Sequence, residues 1–180
     1  MKDLSLHILD IAQNSISAGA SLIEITIEEN PVKDLYTLVI KDDGKGMDKE
    51  TIMKVADPFY TTRNTRKVGL GIPLLKLNAE RTGGTFSIES RVGKGTSLSA
   101  TFIRSHIDRL PEGDLPGTIV MLATSNPTLQ FIYNHSTPNG NYTFNSREIQ
   151  EVLGEIPIND LSVYPFLKEM IVSNLSDIKV

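Results

Sequence analysis

The stretch Tyr36-Thr37-Leu38-Val39-Ile40-Lys41-Asp42-Asp43-Gly44-Lys45-Gly46-Met47 decides how this chain is read. Tyr36 to Ile40, rich in β-branched and aromatic residues, reads as a strand. From Asp42 to Met47 the two aspartates and two glycines disfavour either regular state, so the run reads as a tight turn. It is not a calcium loop, because its carboxylates do not recur at alternate positions before the glycine and no glutamate closes it. Two readings stand. Either this is a surface turn, or Asp42 sits at a pocket edge while Gly44 and Gly46 let the backbone pass close to a flat ligand.

Working outward, Leu4, Ile8, Ile11, Ala12, Ile16 and Ala18 repeat at helical spacing, and Gly19 supplies a stop. Ile23 to Glu29 alternates apolar and polar as a half-buried strand does, and Asn30-Pro31 turns the chain into the Tyr36 strand. Beyond Met47 a short helix is predicted from Lys49 to Ala56, then a polar, threonine-rich loop from Asp57 to Gly71. Pro73 falls in the first turn of a helix that runs to Arg81 and closes on Gly83-Gly84. Strands Thr85–Arg91 and Thr96–Phe102 flank the turn Val92-Gly93-Lys94-Gly95 as a hairpin. Strands with helices on one side imply a two-layer α/β sandwich over residues 1–104.

Residues 105–180 read as a C-terminal β/α extension packing on that unit, either as added packing or as a surface for a partner. Thr118 to Ala123 (TIVMLA) is expected to be a strand. Phe131–Asn134 and Asn141–Phe144 flank Pro138-Asn139-Gly140 as a hairpin. Helices are expected at Arg147–Leu153 and Leu161–Leu175.

At 180 residues and 19.8 kDa the chain is one domain, or one with a sizeable appendage. A chain this long buries roughly 70% of its unfolded surface, enough for a core without staples. The absence of cysteine excludes disulfides and thiolate metal sites. Eighteen basic residues against twenty-two acidic, and a pI near 5.4, argue against a nucleic-acid footprint. No apolar run reaches the roughly 18 residues of a membrane span, and the N-terminus lacks a signal peptide's apolar stretch. A soluble cytoplasmic protein is the expectation.

Several groups carry candidate chemistry. A carboxylate at Asp42 accepts the exocyclic amine of adenine, a charge-assisted bond of roughly 1.5–3 kcal/mol, and repels the carbonyl of guanine. Gly69-Leu70-Gly71-Ile72 opens a helix without being the phosphate loop GxxxxGK[ST]; its free N–H groups favour phosphate. Gly93-Lys94-Gly95-Thr96 is a plain hairpin, or Thr96 offers a hydroxyl to the same pocket. His7, Asp10 and Asn14 share one helix face. There Asn14 is a polar surface residue or completes the oxygen shell of Mg²⁺, and Asp10 is placed to orient or deprotonate a nucleophile. His7 reads as structural or as a pocket-edge residue. Asp57-Pro58-Phe59-Tyr60-Thr61-Thr62-Arg63 reads as a hinge and the start of a lid, whose cations Arg63, Arg66 and Lys67 either contact a terminal phosphate or form a solvated basic loop.

In order and spacing, the Asn14 helix, DDGKGM, DPFYTTR, GLGI and GKGT resemble the GHKL ATPase superfamily and its Bergerat fold, over residues 4–103. PFYTT, VGLGIPLLK and GGTFSIESRVGKGTSLSATF are most similar to the catalytic ATP-binding domain of sensor histidine kinases, while DIAQNSISAGAS resembles mismatch-repair ATPases. The resemblance implies Asp42 as adenine ligand, Asn14 as Mg²⁺ ligand, and Gly44, Gly46, Met47, Gly69, Leu70 and Gly71 as pocket residues. It implies a lid from Phe59 to Val68 that includes Thr62, Arg63 and Lys67, with Thr96 supporting the adenine. Asp10 falls where related ATPases carry a glutamate base, one methylene longer. The acceptor-histidine hairpin of sensor kinases and the transducer domain of gyrase-like proteins are not recognised, and residues 105–180 match no named pattern. Three functions follow as expectations. The first is transfer of the γ-phosphate of ATP to a separate acceptor or regulatory protein. The others are an ATP-dependent binding switch and a slow hydrolase working as a homodimer.

Overall fold

The computed structural model describes residues 1–55 and 70–180. The chain builds α1 (Leu4–Ser17), β1 (Leu22–Asn30), β2 (Leu35–Asp42), α2 (Lys49–Val55), α3 (Gly71–Arg81), β3 (Phe86–Arg91) and β4 (Gly95–Ile103). It continues with α4 (Leu115–Ser125), β5 (Gln130–Thr137), β6 (Gly140–Asn145), α5 (Ser146–Leu153) and α6 (Val163–Asp177). All six strands join one sheet in the order β3-β4-β2-β1-β5-β6, antiparallel except for the parallel pair β1–β5.

Register sorts the sheet into two faces. Ile25 lies opposite Ile40 on one side and Tyr133 on the other, so the alternate residues Ile23, Ile25, Ile27, Leu38, Leu98 and Phe131 point one way and are buried. The intervening Glu24, Thr26, Thr37, Lys41 and Ser99 point the other way and are not. Helices α1, α3, α4 and α6 pack together over the apolar face, which makes the predicted two-layer sandwich. Each Ile or Leu fully buried there contributes roughly 1.5–3 kcal/mol, so a charge at Ile25 would break the layer contact.

α1 begins where Asp3 accepts the Leu6 N–H at 3.0 Å, and it ends before Gly19, whose φ of 75° only glycine adopts at little cost. Its first free amides, those of Leu4 and Ser5, donate to Pro111 O and Glu112 O at 2.9 Å each. The segment after β4 therefore caps the helix that carries the candidate residues.

Two expectations need correction. Residues 118–123 are not a strand but the heart of α4. Asp114 caps that helix by accepting the Gly117 N–H at 3.0 Å, Pro116 lies in its first turn, and Leu115, Ile119, Val120, Leu122 and Ala123 are all buried. A helix buried on most sides shows a continuous apolar run, which periodicity cannot tell from a buried strand. Asp42 is the last residue of β2 and not the first of the turn, because its backbone still pairs with Ile23 and Thr96. The hairpin β5–β6 and the helices α5 and α6 form where the turn and periodicity signals put them.

Candidate functional site

Asp42 stands at the corner where β2 meets β1 and β4. Both its oxygens are held: Ser15 Oγ–H donates to Oδ2 at 2.7 Å and the Gly44 N–H to Oδ1 at 2.9 Å. Each oxygen keeps a further lone pair, so the carboxylate can take one more donor in a fixed orientation. Ser15 was not singled out from the sequence. It follows Ile8 and Ile11 on the buried stripe of α1, and a hydroxyl there needs a partner, which was the available signal. Asp43 has a different task. It accepts from the Ser21 N–H at 2.7 Å, the Leu22 N–H at 2.9 Å and the Ser21 hydroxyl, and these bonds, the hydroxyl foremost, hold its carboxyl below the usual range.

Two glycines let the turn settle on the β3–β4 hairpin. At Gly46 (φ 65°) a Cβ would lie 2.0 Å from Arg91 O, and at Gly95 (φ 90°) one would lie 1.9 Å from Asp42 O. Backbone meets backbone at both places, so no side chain fits. Gly44 is buried beside Ala18, and the Lys45 N–H donates to Ala18 O at 3.0 Å, tying the turn to the end of α1. Ser90 joins the remaining pieces: its Oγ accepts the Met47 N–H at 2.8 Å, donates to Gly95 O at 2.8 Å, and lies 2.9 Å from Thr96 Oγ1. Since its one proton is given to Gly95, Thr96 donates to it. Asp42, Gly44, Gly46, Met47 and Thr96 thus come together as one corner.

The second half of the site is the seam between α1 and α3. Asp10, half-buried, packs against Gly71 so closely that a Cβ on the glycine would fall 1.9 Å from Asp10 Oδ2. That oxygen is buried and has no hydrogen-bond partner among the described residues. Desolvation raises the Asp10 pKa above its ordinary 3.8. One turn earlier, His7 is fully buried, with Nδ1 3.2 Å from Gly71 O and Nε2 3.3 Å from Asn78 Nδ2. Its burial lowers its pKa, while the Gly71 carbonyl opposes the shift. One turn after Asp10, Asn14 is exposed, and among the described residues its side chain makes no hydrogen bond. Leu70 is 46% exposed just before the first turn of α3. Phe59, Thr62, Arg63, Lys67 and Gly69, with Arg66 and the rest of the expected lid, lie outside the described residues.

The other end of the sheet collects a second polar group. Ligand atoms of Glu29, Glu112 and His135 lie within 4.8 Å of one another, a spacing a metal ion could bridge. Glu29 is already engaged, however, by His135 Nε2 at 3.2 Å and Arg104 Nε at 3.1 Å, and His135 Nδ1 meets the Tyr133 hydroxyl at 2.7 Å. Arg109 stands 5.1 Å from the Tyr36 ring centroid in the same corner. Glu29, shared by Arg104 and His135, thus joins β1 to β5 and to the segment after β4.

A family model described as "Histidine kinase-, DNA gyrase B-, and HSP90-like ATPase" matches residues 2–106. A putative sensor protein of Shewanella frigidimarina is 31% identical over 104 residues, covering 57% of this chain and 16% of that protein. Sensor protein SrrB of Staphylococcus aureus is 34% identical over 103 residues, covering 54% and 17%. The chain therefore spans only 16% and 17% of the length of these relatives. Among solved structures, the N-terminal domain of a DNA repair protein superposes with a TM-score of 0.59 at 17% identity, over 86% of this chain and 58% of that one. The likeness is one of fold, and it extends beyond the 2–106 span of the family match.

Proposed function

This chain belongs to the histidine kinase-, DNA gyrase B- and HSP90-like ATPase family, and on that premise we propose that it binds ATP with Mg²⁺ and passes the γ-phosphate to a separate protein. The observation that carries the reading is the Asp42 carboxylate, aimed by Ser15 and Gly44 and walled by glycine backbone, which suits the flat face and exocyclic amine of adenine. Thr96, fixed through Ser90, borders the same corner. Among the described residues no side chain caps the start of α3, and free amides there favour phosphates.

The residues present fit a hard cation. Asn14 offers an amide oxygen not engaged by any described residue, one turn from the orphaned Asp10 oxygen. Mg²⁺, when bound, would be held by Asn14 together with phosphate and water oxygens, and would neutralise phosphate charge. In the transfer step the acceptor's nucleophile bonds to the γ-phosphorus while the bond to the β–γ bridging oxygen breaks. ADP leaves with the electron pair, and Asp10 takes the acceptor's proton. Its raised pKa makes it a better base than an exposed aspartate.

One observation favours a second reading. Asp10 Oδ2 is packed against Gly71, and aspartate is a methylene shorter than glutamate. If its reach falls short, bound ATP only reorganises the surface and controls docking of a partner. Calorimetric titration of ATP–Mg²⁺ and a phosphotransfer assay with labelled ATP and cell extract separate the two. The kinase reading expects Asp10→Ala to bind ATP and lose transfer to one labelled protein. Equal labelling by wild type and Asp10→Ala would remove Asp10 from the mechanism, and binding without any labelled protein would leave the switch.

A further inference from the structure

His7 is a fully buried imidazole bridging two points of α3 that lie two turns apart, Gly71 O at 3.2 Å and Asn78 Nδ2 at 3.3 Å. A carbonyl only accepts, so Nδ1 must carry the proton. The Asn78 amide donates to Nε2, so that nitrogen must be bare. With the Asn78 amide nitrogen facing Nε2, both bonds are made at once by the neutral Nδ1–H tautomer, whereas an imidazolium would need that amide turned over. The Gly71 thus held is the first residue of α3, and its Cα rests on the Asp10 carboxylate with no room for a methyl group. A displacement of Gly71 moves the amides at the helix start and the floor under Asp10 together.

We propose that His7 is a positioning residue for the phosphate end of the nucleotide site: as the Nδ1–H tautomer fixed by Asn78, it clamps the Gly71 carbonyl and so sets the start of α3 against Asp10. This rests on the reading of the corner as an ATP site. It separates the site into two parts with different dependencies. Asp42 and its supports hold the base, whereas the His7–Gly71 clamp acts only where the ligand carries phosphates.

The test uses the whole chain, ¹⁵N-labelled, with ATP–Mg²⁺ and adenosine titrated separately. Histidine ¹⁵N shifts at neutral pH should show Nδ1 protonated and Nε2 bare for His7. His7→Leu should weaken ATP about tenfold and leave adenosine unchanged, while His7→Asn, which puts an amide N–H near the Nδ1 position, should recover most of the loss. Should His7→Leu not fold, His7→Gln replaces it, since its amide reaches the Nε2 position and leaves Gly71 without a donor. An Nε2–H tautomer, an equal loss for ATP and adenosine, or an unchanged ATP affinity would each overturn the clamp. The underlying reading fails separately, through an Asp42→Asn variant that still binds both ligands as wild type does.

Discussion

Strand β1 joins two corners that treat carboxylates in opposite ways. At its start Ile23 lies opposite Asp42, and at its far end Glu29 lies opposite Tyr36, six residues or roughly 20 Å along the strand. In the far corner Glu29 has His135 and Arg104 as partners, and these, His135 foremost, pull its pKa below the ordinary 4.5 against the opposing effect of burial. At the near corner Asp10 has no partner among the described residues, and burial alone pushes its pKa up. The sheet and helix layer are continuous, yet at one end the Glu29 carboxylate is shared by Arg104 and His135, while at the other the Asp10 carboxylate has no partner among the described residues. Charges committed to one another hold a fold together, whereas a buried carboxylate without a partner costs stability and is retained where a ligand or proton will use it.

The largest expected effect lies at the closed end. Glu29→Ala strands Arg104 and His135 and should cost about 3–5 kcal/mol in urea unfolding, with ATP affinity of the folded protein unchanged. A loss below about 1 kcal/mol would mean that the network behaves as a surface ion pair. At the open end the pattern should invert. Asp42→Asn is expected to cost about 1.5–3 kcal/mol of ATP binding, roughly ten- to a hundredfold, while stability moves by no more than about 1 kcal/mol. Smaller again, Asp10→Asn should raise stability at neutral pH by up to about 1 kcal/mol while abolishing phosphotransfer, a trade seen where a site holds an unpaired group for function. A destabilised Asp10→Asn would show that Asp10 has a structural partner after all.

Titration sharpens the same contrast. Glu29 has a folded pKa below its ordinary value, so its contribution is complete above pH 4.5 and is lost as pH falls through the depressed value. Asp10 has a folded pKa above 3.8, so its ionisation weakens the fold. That cost is absent below pH 3.8 and is fully present once pH has risen past the elevated value. Stability measured against pH should therefore show a shallower acid-side fall in Glu29→Gln, the remainder belonging to other depressed carboxyls such as Asp43, and gain on the neutral side in Asp10→Asn. Profiles that superpose on wild type would remove both assignments.

Much of this was legible in the residues. Alternation along Ile23–Glu29, the glycines of 44, 46 and 95, and the spacing of Leu4, Ile8 and Ile11 are local signals, and the elements formed there with ends shifted by a residue or two. TIVMLA failed because its neighbours in space, α1, α6 and β5, bury it on most sides and erase the period that would have marked a helix. Ser15 and Ser90 passed unnoticed because a serine's importance lies in the group it meets, Asp42 from 27 residues away and Thr96 across a hairpin.

By itself, then, the sequence determined every element type outside residues 118–123, the family and the identity of Asp42, Asn14 and Asp10 as candidates, since turn chemistry, period and motif spacing are properties of neighbouring residues. Only the tertiary structure decided which carboxylate is paired and which has no partner among the described residues. As letters, Glu29 and Asp10 are both carboxylic acids that ionise well below neutral pH. Their opposite shifts arise from what lies within hydrogen-bond reach, His135 and Arg104 from 106 and 75 residues away in one case and the bare Cα of Gly71 in the other. Charge energies in a low-dielectric interior depend on distances that no local pattern encodes.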